Sequence, residues 1–274
     1  YLPSVVTRFE EFRTHARTSM IGYDILPMIE PANYRFSPGR IAWVSEYFRM
    51  LAVADAVVCI SDFAKRGIVE RLRRPSNLLT RVAHPGGDHI PIRKGLPPER
   101  TTFIRVGTME ARKMPVEILD AFIEAIDQGL QADLVYVGTA SASDSNINTR
   151  ISAAIEAGHP VRWIQGATDA EVNELVQRSS AFLSFGVEGY GIPVLEAIRL
   201  GTPVLFGGEQ PAAEIVEGKG ALGIADITDL SKAFTINQED LCSTLQPDQL
   251  PTWKLFTECV ARSSSGMDDA SYGH

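Results

Sequence analysis

The sequence predicts an α/β protein built on doubly wound parallel sheets, and three observations predict it. Short apolar runs such as DAVVCIS (55–61), DLVYVG (133–138) and AFLSFG (181–186) have the length and apolar character of strands buried on both faces. Between them lie helical patterns with apolar residues three and four positions apart. The two kinds of segment alternate along nearly the whole chain, which is the order of βαβ units and not of a bundle or a sandwich.

In order, residues 18–26 read as a strand ending in turns at Pro27 and Pro31, and residues 38–52 as a helix with Ile41, Val44, Phe48 and Leu51 on one face. After the strand at 55–61, Ser61 is the candidate N-cap of a helix carrying Phe63, Ile68, Val69 and Leu72. A third strand, 78–84, is stopped by Pro85, Gly86 and Gly87. The polar, Pro- and Gly-rich stretch 92–100 predicts a linker. Beyond it, strands at 103–107, 133–138, 161–166, 181–186 and 203–207 alternate with helices at 115–128, 146–157, 169–178, 192–200 and 212–217, with Thr168 the expected cap of the third helix. Residues 229–261 are helical in pattern, with the last helix at 252–262. The expected organisation is a first unit over 1–95, a second over 101–250, a closing helix over 251–262 and a mobile tail over 263–274.

A chain of 274 residues can bury a sizeable core and house one large domain or two small ones. Its 45% hydrophobic and 22% charged content is that of a globular protein. A net charge of -8 argues against a nucleic-acid partner, which would ask for a basic face. No apolar run approaches the ~18 residues that span a bilayer, and the first residues lack a signal-peptide apolar core. The chain opens on Tyr1 and not Met, which points to a fragment of a longer protein. Cys59, Cys242 and Cys259 form no CxxC pair and fit reduced thiols in the cytoplasm, while the five scattered histidines suggest no metal cluster.

Most of the chemistry lies in SFGVEGYGIPVLEAIRLGT (184–202), a strand end, a turn with Gly186, Gly189 and Gly191, and a helix. First-turn N–H groups of a helix lack intrahelical partners and make an anion site, and glycines let a ligand approach the backbone. Glu188 on the turn and Glu196 inside the helix can accept hydrogen bonds from sugar hydroxyls while amides hold a phosphate. The same pattern also suits an ordinary βα turn with Glu196 solvated. A second motif, GTMEARKM (107–114), leaves a strand with Arg112 and Lys113 side by side, a fork and a point charge suited to a diphosphate. Cations at a helix start are disfavoured by the dipole, which favours a binding role over plain surface charge. GATDAE (166–171) is a third turn after a strand, equally a capped helix start, and Glu209 and Glu214 read as structural.

EGYGIPVLE followed by GTPV resembles the Glu, seven residues, Glu signature of the group 1 retaining glycosyltransferases, which have the GT-B fold and use nucleotide-sugars. Glu188 and Glu196 match its two acidic positions. GTMEARKM resembles the family's GTLEPRKN element, whose Arg and Lys contact the donor diphosphate; Ala111 and Met114 replace the common Pro and Asn. GATDAE resembles the turn that receives the nucleotide base. In the first part, GYDILP (22–27) resembles a stretch often reading HDLIP, with Tyr23 where His is common and Asp24 kept. SDFAKRGI (61–68) and PGGD (85–88) resemble a cleft wall and a cleft-lining turn, and PTWKLFTECV (251–260) a helix that crosses back to the first lobe. The resemblance covers about residues 18–262 and implies two Rossmann-like lobes. Residues 1–95 would be the C-terminal part of an incomplete acceptor-side lobe, and 101–250 the donor lobe.

The resemblance implies a retaining hexosyltransferase that moves a sugar from a nucleotide-diphosphate sugar, such as GDP-mannose or UDP-glucose, to a glycan or glycolipid. The setting would be polysaccharide or lipopolysaccharide synthesis in the cytoplasm, with peripheral contact to the inner membrane face as an option. Glu188, Arg112 and Lys113 would be catalytic. Gly107, Thr108, Gly166, Gly189, Tyr190, Gly191, Ile192 and Glu196 would bind the donor, with no cofactor and no metal required. Two alternatives stand beside it: a non-catalytic nucleotide-sugar binding module, which Tyr23 favours, and a GT-B-fold epimerase or phosphorylase.

Overall fold

The structure, a computed structural model, describes residues 5–31, 38–96, 100–141 and 144–265. It divides into two compact units, one drawn from residues 1–86 and 251–274, the other from residues 87–250.

The first unit opens with α1 (Val5–Arg13), β1 (Ser19–Gly22), α2 (Leu26–Ile29), α3 (Pro38–Val53), β2 (Ala56–Cys59), α4 (Asp62–Arg71) and β3 (Leu79–Val82). Its three strands are parallel in the order β1-β2-β3, with Ile21 opposite Val58 and Val58 opposite Arg81. The central strand is fully buried, which its unbroken apolar run requires. Asp55 ties the strand starts together by accepting from the Thr18 N–H at 2.8 Å and the Thr18 hydroxyl at 2.7 Å. Ser61 caps α4 as expected, accepting from the Ala64 N–H at 3.0 Å. The first strand is shorter than the expected 18–26. Asp24 accepts from the Leu26 N–H at 3.0 Å and turns the chain into α2, whose first turn holds Pro27. Helix α1 had no counterpart in the sequence expectations, since its charged run buries only Val6.

The second unit runs β4 (Thr102–Val106), α5 (Pro115–Asp127), β5 (Asp133–Val137), α6 (Ser145–Glu156), β6 (Val161–Ile164), α7 (Asp169–Gln177), β7 (Ala181–Val187), α8 (Ile192–Arg199), β8 (Val204–Glu209), α9 (Pro211–Glu214), β9 (Ala221–Gly223), α10 (Leu230–Ala233) and α11 (Gln238–Ser243). The six strands are all parallel in the order β6-β5-β4-β7-β8-β9. On the core side Phe234 of the region after α10 packs on Phe103 and Phe122, with ring centroids 4.5 and 5.7 Å apart. Tyr136, fully buried, satisfies its hydroxyl on the Pro115 carbonyl at 2.7 Å. Thr168 and Glu171 form the capping box that starts α7. The chain ends its described part in α12 (Trp253–Ser265), which belongs to the first unit and packs on β1 and β2. Three residues of the expected tail are therefore helical, and the rest of it lies outside the described residues.

Several boundaries differ from the expectations. Residues 229–261 are not continuous helix: the Asn237 cap and Pro247 and Pro251 break them into short pieces. The 212–217 helix shrinks to the single turn α9, and β9 was missed because glycines at 218, 220 and 223 hide so short an apolar run. Residues 87–96, read as the end of the first unit and its linker, cluster with the second unit.

Five successive strands, β4 to β8, meet glycines of positive φ at or just past their carboxyl ends: Gly107, Gly138, Gly166, Gly186 and Gly208. Three of them are forced by backbone contact. A Cβ on Gly138 would lie 2.2 Å from the Gly107 carbonyl oxygen, one on Gly208 2.4 Å from that of Gly186, and one on Gly186 1.9 Å from that of Arg112. Because glycine absorbs the kink, β7 and β8 stay paired to their last residues, Val187 opposite Glu209. Gly129, at φ +102, has open space around its Cβ position. Alanine at Gly129 should therefore cost about 1–2 kcal/mol, the left-handed backbone alone. Alanine at Gly186 should cost at least about 2 kcal/mol more, and urea unfolding of the two variants checks the difference.

Candidate active site

A doubly wound sheet opens a crevice where the chain reverses its direction of strand addition. Here β5 and β6 are added on one side of β4 and β7 to β9 on the other, so the reversal lies between β4 and β7. The two motifs richest in candidate residues are the turns leaving those two strands.

The turn after β4 is shaped from below by Arg105. This β4 side chain is 2% exposed, and its guanidinium donates to the Gly107 carbonyl at 2.6 Å and the Thr108 carbonyl at 2.9 Å. Burial lowers its pKa to about 10, with Tyr136, Glu188 and Glu110 opposing the fall. Residues 111–113 then make a 3-10 turn, and Met114 takes the left-handed conformation (φ 52°) ahead of α5. That geometry swings Arg112 and Lys113 toward β7. Arg112 donates to the Val187 carbonyl at 2.7 Å and to Glu188 Oε2 at 3.0 Å, and pairs with Glu110 Oε2 at 2.8 Å. Lys113 Nζ lies 2.6 Å from Glu188 Oε1, and 3.3 Å from the point a Gly107 side chain would occupy. A larger residue at 107 would crowd the ammonium.

Arg112, Lys113, Glu188 and Gly107 are thus brought together. Three cations, counting Arg105, face two carboxylates, Glu110 and Glu188. Burial raises the Glu188 pKa, but Lys113 and Arg112 outweigh it and hold the carboxyl below its ordinary value. The Lys113 ammonium is lowered, by burial first and then by Arg105 and Arg112 against the pull of Glu188. The Glu188 shift comes from the two cations and the Lys113 shift chiefly from burial. Three cations against two carboxylates leave an excess of positive charge, which is what a polyanion needs.

The turn after β7 leads into α8. Gly191 is its N-cap at φ +103, Ile192 its first residue, and Tyr190 is buried, its carbonyl accepting from the Ala212 N–H at 2.8 Å. Gly189 lies between Glu188 and Tyr190. Pro193 has no N–H, and the Val194 N–H is 3.1 Å from the Gly191 carbonyl. The anion-facing amides therefore lie at or before Ile192, fewer than a generic helix start offers. Thr108 sits on the β4 turn with its hydroxyl 3.3 Å from that of Thr139. Gly166 is set apart: it follows β6, which β5 separates from β4. Glu196 stands on the half-exposed face of α8, 2.8 Å from His89 Nε2.

Sequence reasoning missed Arg105, which reads as one more strand residue, and Gln210. Gln210 is fully buried, accepts from the Ser184 hydroxyl at 2.8 Å and donates to the Gly186 carbonyl at 3.2 Å, fixing the β7 end. It missed His89 as well, though His89 directly follows the quoted PGGD turn.

Residues 88–232 match the family described as glycosyl transferases group 1. The chain belongs to that family. It is 29% identical over 232 residues to the serotype-specific mannosyltransferase WbdA of Escherichia coli, a match covering 74% of this chain and 28% of that protein. The chain thus spans between a quarter and a third of the length of the curated relatives it matches. Among solved structures, Anabaena Alr3699/HepE in complex with UDP-glucose superposes with a TM-score of 0.70 at 17% identity, over 96% of this chain and 76% of that one. WaaG, a glycosyltransferase involved in lipopolysaccharide biosynthesis, gives 0.66 at 17% identity, over 96% and 81%. These likenesses bear out the GT-B fold expected from the motifs.

With its folded-state pKa below the unfolded one, Glu188 contributes stability that is full above the unfolded value, about 4.3, and is lost as pH falls through the folded value. Glu188→Gln should therefore be less stable than wild type by about 1–3 kcal/mol at pH 7. The gap should narrow as pH is lowered below about 4; urea midpoints across pH 3 to 7 test it, and a gap constant with pH counts against the ion pairs.

Proposed function

We propose that this chain carries the donor site of a retaining glycosyltransferase, moving a hexose from a nucleotide-diphosphate sugar to a glycan or glycolipid acceptor. The observation that carries this reading is the cluster at the β4/β7 reversal: Arg112 and Lys113 each within 3.0 Å of the Glu188 carboxylate, beside the start of α8. Membership of the group 1 family and the likeness to a mannosyltransferase favour a mannosyl donor such as GDP-mannose. UDP-glucose, the ligand of the HepE structure, is the competing donor.

In this reading Arg112, Lys113 and the amides up to Ile192 hold the diphosphate, Glu188 the transferred sugar and Glu196 the ribose. Gly107, Thr108, Gly189, Tyr190 and Gly191 line the pocket, and Gly166 lies on the base side. As the bond from the sugar C1 to the phosphate oxygen breaks, charge grows on the diphosphate, and preplaced cations meet it without a metal. The acceptor oxygen bonds C1 from the same face, and its proton passes to a departing phosphate oxygen. Glu188 then exchanges one ligand for another: its carboxylate satisfies both cations until the diphosphate takes them.

Calorimetric titration with GDP, UDP and ADP tests the reading. One base should bind, and Arg112→Ala should weaken it about 10- to 100-fold, the worth of a charge-assisted hydrogen bond. Transfer from the matching nucleotide-sugar should survive a metal chelator. Binding without any transfer would leave a nucleotide-sugar binding module, and unchanged affinity in Arg112→Ala would remove the diphosphate assignment.

A further inference from the structure

Residues 87–96 form a strap laid along α8 and the end of α7, and its placement is set by backbone contact. A Cβ on Gly87 would lie 2.8 Å from the Leu195 Cβ and 3.2 Å from the Leu195 carbonyl carbon, so the strap touches α8 closely there. The Ile90 carbonyl accepts from the Arg199 side chain, and the Arg93 N–H donates to the Arg199 carbonyl at 2.7 Å. Further on, the Leu96 N–H donates to the Gln177 carbonyl at 3.0 Å, and the Gln177 amide returns to the Lys94 carbonyl at 2.9 Å. At Gly95 and Gly201 the two backbones meet so closely that a Cβ on either would overlap the other. This fixed strap delivers His89 to Glu196, Nε2 to Oε1 at 2.8 Å, although the imidazole itself is 45% exposed.

We infer that His89 is a positioning residue: it locks the Glu196 carboxylate in the orientation that takes the ribose hydroxyls of the donor. The inference rests on the proposed role of Glu196. A carboxylate has about four acceptor sites, and the imidazole N–H occupies one, on Oε1. The remaining sites suit a vicinal diol only while the carboxylate plane is held. Glu196 is 30% exposed, and a half-exposed glutamate otherwise gives up rotamer freedom when it binds. The hydrogen bond to a strap pinned at both ends removes that freedom beforehand. Among the described residues of the strap, it is the His89 side chain that reaches Glu196.

The test compares the nucleoside diphosphate that binds best among GDP, UDP and ADP with its 2′,3′-dideoxy counterpart, on the full chain. Wild type should prefer the ribose form at least about tenfold. His89→Ala should cut that preference about fivefold or more, while affinity for the dideoxy form moves less than twofold. His89→Gln, which keeps an N–H donor, should restore most of the preference. Equal weakening toward both ligands, or an unchanged preference in His89→Ala, overturns the positioning role. If Glu196→Ala also keeps the preference, the ribose assignment of Glu196 falls first. Should none of the three diphosphates bind wild type, both readings fall together.

Discussion

Everything at the candidate site hangs on how closely the backbones approach at the carboxyl edge of the larger sheet. The Arg112 carbonyl lies where any side chain at 186 would have to be, and the Gly107 and Gly186 carbonyls crowd residues 138 and 208 in the same way. This edge is made of main chain almost alone, which leaves room above it for charged groups and for a ligand. It also sets the reach of Arg112 and Lys113: with the 3-10 turn pressed against β7, the fork and the ammonium can both close on one carboxylate. Arg105 and Gln210, both buried, hold the two turns from beneath with hydrogen bonds to carbonyls of Gly107, Thr108 and Gly186. A charge as deep as Arg105 is tolerated because these carbonyls, and carboxylates nearby, replace the water it loses.

Fold class and most elements were legible because strands buried on both faces write unbroken apolar runs, as in Ala56–Cys59 and residues 134–137, and because caps such as Ser61 and Thr168 announce the next helix. What failed to show was set by distant partners. The expected strand 181–186 stops at Gly186, and only the pairing with β8 carries it on through Val187. The region after residue 229 has the apolar spacing of a helix, but its breaks come from single residues that periodicity averages away.

The site was legible by motif and not by geometry. The spacing of Glu188 and Glu196 and the adjacency of Arg112 and Lys113 marked the right turns. Nothing in the sequence says that Glu188 pairs with both cations 75 and 76 residues away, or that Pro193 thins the amide donors of α8. His89 is the plainest case. Its neighbours were read as the end of a first lobe and a linker, since Pro and Gly are abundant there. In fact Gly87 lies closely against α8 and Gly95 against Gly201, just past the end of that helix.

That strap also decides where the second unit can be cut free. A recombinant piece starting at residue 101, after the Pro- and Gly-rich stretch, would strip the outer face of α8 and leave Glu196 pointing into water without its imidazole. A piece starting at 87 keeps the ten residues that finish the helix surface. For chimaeras that graft this unit onto other partners, the natural seam is the Gly86–Gly87 peptide and not the polar run that follows it.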